Sequence, residues 1–191
     1  MTQTKFDVAS RALVRVGKAP VVAFGTTSAE EIACATEYEG AVEAAMAAYR
    51  WRFATDLYDL GNPLVDAPVA LKAYAFQLPA ELTILHGVYL AGTETKIPYD
   101  RFGSKIYCDY SGGIVAEYGF RAPENVWPPH FTKAFVEDLA STFAQVLARN
   151  QEMADKLFTK AVGLWSAART TDSQQQTTRK IGPSRLVAVR R

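Results

Sequence analysis

At 191 residues, with 49% hydrophobic and 21% charged residues and a net charge of +1, the chain is long enough to bury a core of its own without a disulfide or metal staple. No apolar run reaches the roughly 18 residues of a membrane span, and the N-terminal MTQTKFDVASRALV mixes acid and base with its apolar residues, which argues against a secretory signal. The last nineteen residues hold Arg179, Lys180, Arg185, Arg190 and Arg191 and no acid, so a basic tail follows a mildly acidic body.

In chain order, residues 4–16 read as a first helix, with Phe6, Ala9, Leu13 and Val16 on one stripe, Asp7 at its positive end, and Gly17 and Pro20 as stop signals. A central helix follows from an S-x-x-E capping box, Ser28 and Glu31. Ala35, Tyr38, Val42, Ala45 and Tyr49 form its apolar stripe, and its many alanines predict packing on more than one side. At Arg50, Trp51, Arg52, Phe53, Ala54 and Thr55 the pattern changes to alternation, the mark of an extended exit. Residues 55–66 contain a Gly61-Asn62-Pro63 turn and are not otherwise placed.

From Lys72 the character is β. KAYAFQL and LTILHGVYL read as two strands, a short edge strand is compatible with the turn-rich residues 91–104, and KIYCDY and IVAEYGF flank Ser111, Gly112 and Gly113 as a hairpin. Ile106, Cys108 and Tyr110 share one face of its first strand, and Ile114, Ala116, Tyr118 and Phe120 one face of its second. The expectation is one small, mainly antiparallel sheet of four or more strands. PENVWPP closes the β section. Phe131, Phe135, Leu139, Phe143 and Val146, then Met153, Leu157, Ala161, Leu164 and Ala168, give two helices turning at Asn150, an αα-hairpin. Past Arg169 the periodicity is lost, which predicts a segment that is extended or disordered until it binds. The fold class is thus α+β: a body of four helices from residues 1–54 and 129–171, a β-rich insertion at 55–128, and an extended basic arm at 172–191.

Signals for chemistry are sparse. Cys34 and Cys108 lack metal-ligand spacing and read as free buried thiols in a reducing compartment. His86 in an apolar strand and His130 at a helix start have no nucleophile motif beside them, and no phosphate-binding glycine loop is present. The pairs Glu30/Glu31 and Glu137/Asp138 fit helix first turns or solvated helix faces. No cofactor, metal or catalytic residue is assigned. The aromatic residues Tyr99, Phe102, Tyr107, Tyr110, Tyr118 and Phe120 can form core, a subunit interface or a ligand-stacking surface, and interface is the expectation for Tyr99, Phe102, Tyr107 and Tyr110. In the tail, Arg179 and Lys180, then Arg185, Leu186, Val187, Val189, Arg190 and Arg191, join charge to a short β-prone run that can add a strand to a partner. The same charges also allow weak, salt-sensitive nucleic-acid binding. A wall-degrading hydrolase using Glu117 or Asp109 as acid or base is the enzymatic alternative.

The order of parts resembles the head-to-tail adaptor proteins of tailed bacteriophages, close to the tail tubular protein A family. The matching residues are Trp51, Arg52, Phe53 and Ala54 for a Trp-x-Phe-Ala helix ending, and Tyr74, Leu78 and Pro79 for a Tyr-x-x-x-Leu-Pro strand opening. Pro129, Phe131, Ala134 and Phe135 match a Pro-x-Phe-x-x-Ala-Phe/Leu helix start. The resemblance covers about residues 4–170 and lacks a long insertion between strands. It implies a structural virion protein, not an enzyme. The expected assembly is a ring of this chain, usually a dodecamer, formed in the host cytoplasm and docked beneath the portal protein. Genomic DNA would pass through its lumen, the tail nozzle or another tail protein would lie below, and no membrane would be contacted. It also implies that the C-terminal segment reaches the portal and that the β section faces the tail.

Overall fold

The computed structural model describes residues 2–65 and 72–175, and these form four helices and six strands in a mixed α+β arrangement. Helix α1 (Lys5–Arg15) begins with a reciprocal capping box: the Asp7 N–H donates to Thr4 Oγ1 (3.2 Å), and the Thr4 N–H to the Asp7 carboxylate (2.9 Å). Ala9, Leu13 and Val16 of the predicted stripe are buried. Gly17 ends the helix in the left-handed conformation (φ +73°).

Helix α2 (Ala29–Ala47) is capped by Ser28, whose Oγ accepts the Glu31 N–H, but the Glu31 carboxylate reaches past Ser28 to the Thr27 N–H (3.2 Å). Its buried face is Ala33, Cys34, Tyr38, Val42, Ala45 and Met46, while Ala35, expected in the stripe, is exposed. Ala44, Ala47 and Ala48 are exposed too, so the chain covers one side of α2 rather than several. The expected extended exit is instead a 3₁₀ turn, Arg52–Ala54, with strand β1 (Thr55–Asp59) following it. The physical reason is the partner of Arg52: its N–H points to the Asp172 carboxylate (3.4 Å to each oxygen) and its Nε–H to the Asp172 carbonyl (3.1 Å), which takes this residue out of any ladder.

The remaining strands are β2 (Tyr74–Gln77), β3 (Leu82–Leu90), β4 (Asp100–Phe102), β5 (Lys105–Cys108) and β6 (Ile114–Phe120). They form two three-stranded antiparallel sheets, β1-β6-β3 and β2-β5-β4, rather than the single sheet expected. The expected hairpin of 105–110 with 114–120 does not form. Strand β5 turns back on β4 through Gly103 (φ +58°), whereas β6 crosses into the other sheet. Strand β6 has Ile114, Ala116 and Tyr118 buried on one face and Glu117 on the other, and its backbone groups are paired by β1 on one edge and β3 on the other. Leu60, Phe76, Leu78, Val88, Ile97, Ile106, Cys108, Ile114 and Ala116 form one apolar cluster to which both sheets contribute.

Helices α3 (Pro129–Val146) and α4 (Gln151–Ser173) form the predicted αα-hairpin, and α3 also packs on α1 and α2. Arg149, not Asn150, takes the left-handed conformation (φ +49°), and Asn150 caps α4 by accepting the Met153 N–H (3.0 Å). Helix α4 continues past Arg169 because Asp172 is buried against Arg52. The helices share a second apolar cluster, in which Trp51, Phe131, Phe135, Tyr38 and Leu139 are almost fully buried. Among the described residues, no helix is long and apolar enough to cross a membrane.

Glu137 ties three helices together. It is fully buried in α3, and its Oε1 accepts Arg15 of α1 (2.7 Å) and Lys160 of α4 (2.9 Å). A buried carboxylate deprived of its cations is costly, whereas an apolar replacement of the whole group is often nearly neutral. Truncating Arg15 and Lys160 together to Ala is expected to cost roughly 3 kcal/mol, at the low end for a broken buried pair because both cations are half-exposed. The triple change Arg15→Met, Glu137→Leu, Lys160→Met is expected to cost less, and urea unfolding compares the two. Trp51→Ala opens the aromatic cluster and is expected to lower stability by about 3–5 kcal/mol in the same assay.

Candidate functional site

The tail residues Arg179, Lys180, Arg185, Leu186, Val187, Val189, Arg190 and Arg191 lie outside the described residues. Of the four aromatic residues assigned to an interface, two are brought together. Phe102 is 63% exposed on β4 and packs edge-on against Tyr107 of β5, with centroids 5.7 Å apart. The short β4-β5 turn places them, since Asp100 pairs with Tyr107 and Phe102 with Lys105. Tyr99 packs against the core shared by the sheets, and Tyr110 is exposed beyond the end of β5. Tyr118 is core, its hydroxyl donating to Glu81 (2.6 Å), and Phe120 packs on the helical cluster.

One concavity among the described residues was not foreseen. It is a cleft of about 730 Å³ over one face of the β1-β6-β3 sheet. Register explains its floor: Leu57 and Gly87 flank Glu117, and Asp59 and Tyr89 flank Val115, so Leu57, Glu117, Val115 and Tyr89 point to the same side. The Tyr89 ring lies close over Gly87, where an added Cβ would meet it at 3.0 Å. Arg50 and Arg52 form one wall and the turn at residues 91–94 another. Glu117, 7% exposed, is ion-paired with Arg50, and Glu94 also lines the cleft, whereas the Asp56 side chain alternates to the Tyr118 face of β1. The signal for this cleft lies in residues 55–59, whose TDLYD pattern alternates too weakly to read as a strand on its own.

Asp109 does not line the cleft. It holds Lys72 (2.8 Å) and the Ala73 N–H (3.3 Å), and the Lys72 hydrogen bond keeps its carboxyl below the usual carboxylate range. The two carboxylates of the hydrolase alternative therefore do not meet in one site, although Glu94 lines the cleft together with Glu117. Cys34 and Cys108 are free and buried, as expected. Burial, with Glu30 adding to it, pushes the Cys34 thiol up to about 11, and burial raises Cys108 as well, so neither is a ready nucleophile. Burial, reinforced by Arg50, lowers the His86 pKa and favours its neutral form. Among the described residues no cluster of three or more His, Cys, Asp or Glu has the arrangement of a metal site.

A second unforeseen contact is the clasp between Arg52 and Asp172, which anchors the end of α4 beside the cleft wall. Burial raises the Asp172 carboxyl pKa, opposed by the Arg52 backbone N–H and by the charge of Arg52. A scan against protein-family models and a search of the curated proteins each find no match to this chain.

Proposed function

We propose that this protein is a structural virion component, a head-to-tail adaptor that assembles as a ring beneath a portal protein and joins it to the tail. The supporting observation is where the resembling residues meet. Trp51 and Phe53, from the Trp-x-Phe-Ala passage, pack on Phe131 with ring centroids 5.0 and 4.9 Å apart. Phe131 in turn stacks on Phe135 of the second motif at 6.2 Å. Two motifs 80 residues apart by their first aromatic residues, Trp51 and Phe131, thus form one packing unit, which is how a shared sequence pattern reflects a shared architecture.

In this reading the helices form the body, residues 55–128 form a β-rich insertion facing the tail, and the segment after α4 is the arm that reaches the portal. Phe102 and Tyr107 belong to the tail-facing surface. Ala44 and Ala48 and the exposed Phe158 and Val162 of α4 line an open apolar groove of about 470 Å³, a surface for the neighbouring subunit in the ring. One arm per subunit on a multi-site portal gives tight ring attachment from weak single contacts. The protein performs no catalysis.

The decisive truncation must spare Asp172, so the cut belongs after Gln175. Removing residues 176–191 is expected to leave the helical circular dichroism and thermal midpoint unchanged and to abolish co-sedimentation with portal-containing heads. Normal attachment by the shortened chain would refute the arm's role.

The cleft supports a second reading, a glycan hydrolase using Glu117 with Glu94. Wild-type protein would then clear a cell-wall substrate gel, and Glu117→Gln would abolish the clearing. Absence of clearing by the wild type removes this reading.

A further inference from the structure

We infer that the groove between α2 and α4 is the contact surface of a two-fold dimer, in which α4 of a second copy packs antiparallel on α2. A two-fold contact closes at two copies and builds no ring. The inference therefore describes the free protein and stands without the adaptor reading; where both hold, the dimer must part before the groove can meet a ring neighbour.

Shape comes first. The groove has Ala44 and Ala48 of α2 on one wall and Phe158 and Val162 of α4 on the other. Phe158 and Val162, one helical turn apart, are 56% and 52% exposed. One wall is thus recessed and the other raised. The two helices end side by side: the Tyr49 hydroxyl donates to the Arg169 carbonyl (3.5 Å), and the Arg169 guanidinium lies 5.9 Å from the centre of the Tyr49 ring. A two-fold axis through the groove sets the raised wall of each copy on the recessed wall of the other, with the helix directions reversed.

Register and charge agree with shape. Ala41, Ala44 and Ala48 line the groove, and Glu37 lies one turn before them on the same face, so this series steps by four, three and four residues. Along α4 the lining residues Phe158, Val162, Trp165 and Arg169 step by the same intervals. Run antiparallel, the two series match over ~17 Å at the rise of an α-helix. Phe158 then falls on Ala48, Val162 on Ala44 and Trp165 on Ala41, large on small each time, and Arg169 falls on Glu37. Among the described residues neither Glu37 nor Arg169 has an ion-pair partner within its own copy. Burying Phe158 and Val162, twice over by symmetry, supplies the driving force, and the two Arg169–Glu37 pairs select the antiparallel register.

The test is analytical ultracentrifugation of the full-length chain. The wild type is expected to sediment as a dimer. Phe158→Asp on the raised wall and Ala44→Trp on the recessed wall should each weaken the dimer by about tenfold or more, with the helical circular dichroism unchanged because both positions are exposed. Glu37→Arg should weaken it too, and adding Arg169→Glu to that variant should restore it. A wild type that stays monomeric up to about 0.1 mM would overturn the inference. So would a dimer indifferent to Phe158→Asp and Ala44→Trp, or a charge exchange that fails to restore pairing. Assemblies larger than two copies that the same substitutions break up would also overturn it, since only a head-to-tail contact grows past a dimer, and that outcome would favour the ring.

Discussion

Trp51 stands where the central helix stops and the sheets begin, and its environment leaves it little freedom. Its indole N–H donates to the Ala45 carbonyl (2.8 Å), satisfying the single polar group of a side chain that is 1% exposed. Around it lie Tyr49, Phe53, Phe131 and Trp165, with centroids between 4.8 and 6.2 Å, so one residue contacts α3, α4 and the entry to β1. Large aromatic side chains bury the most area per residue, and their edge-to-face geometry fixes orientation as well as distance. The angle at which the β section leaves the helices is set by this junction.

The polar residues beside Trp51 carry that geometry outward. Arg50 pairs with Glu117 of the central strand β6, and Arg52 closes on Asp172 at the end of α4. Three consecutive residues thus bind a sheet, a core and a helix terminus. The cleft follows from them: its wall is made of the two arginines, and its floor is the face of β6 that Glu117 shares with Val115. A buried carboxylate on a strand would be expensive without its partner, so Arg50 and Glu117 constrain each other's position. Glu137 plays the corresponding part among the helices, drawing Arg15 and Lys160 onto α3 from two sides.

What the sequence alone determined was local. The caps at Ser28 and the stop at Gly17 depend on neighbours within four residues, and the α3–α4 hairpin is written in two apolar stripes, so both were legible. So were the buried thiols of Cys34 and Cys108 and the strands at 74–77, 82–90, 105–108 and 114–120. The tertiary structure decided which strands pair. The residues at 105–108 and 114–120 alternate alike and flank a glycine turn, yet β6 pairs with β1 and β3 and β5 with β2 and β4. It also decided the 3₁₀ turn at Arg52 and the length of α4, since both depend on Asp172, 120 residues away in sequence. The cleft belongs to this second class: Leu57, Val115, Tyr89 and Glu94 come together only after strand order is set, and no periodicity within a single segment can announce a surface made by three.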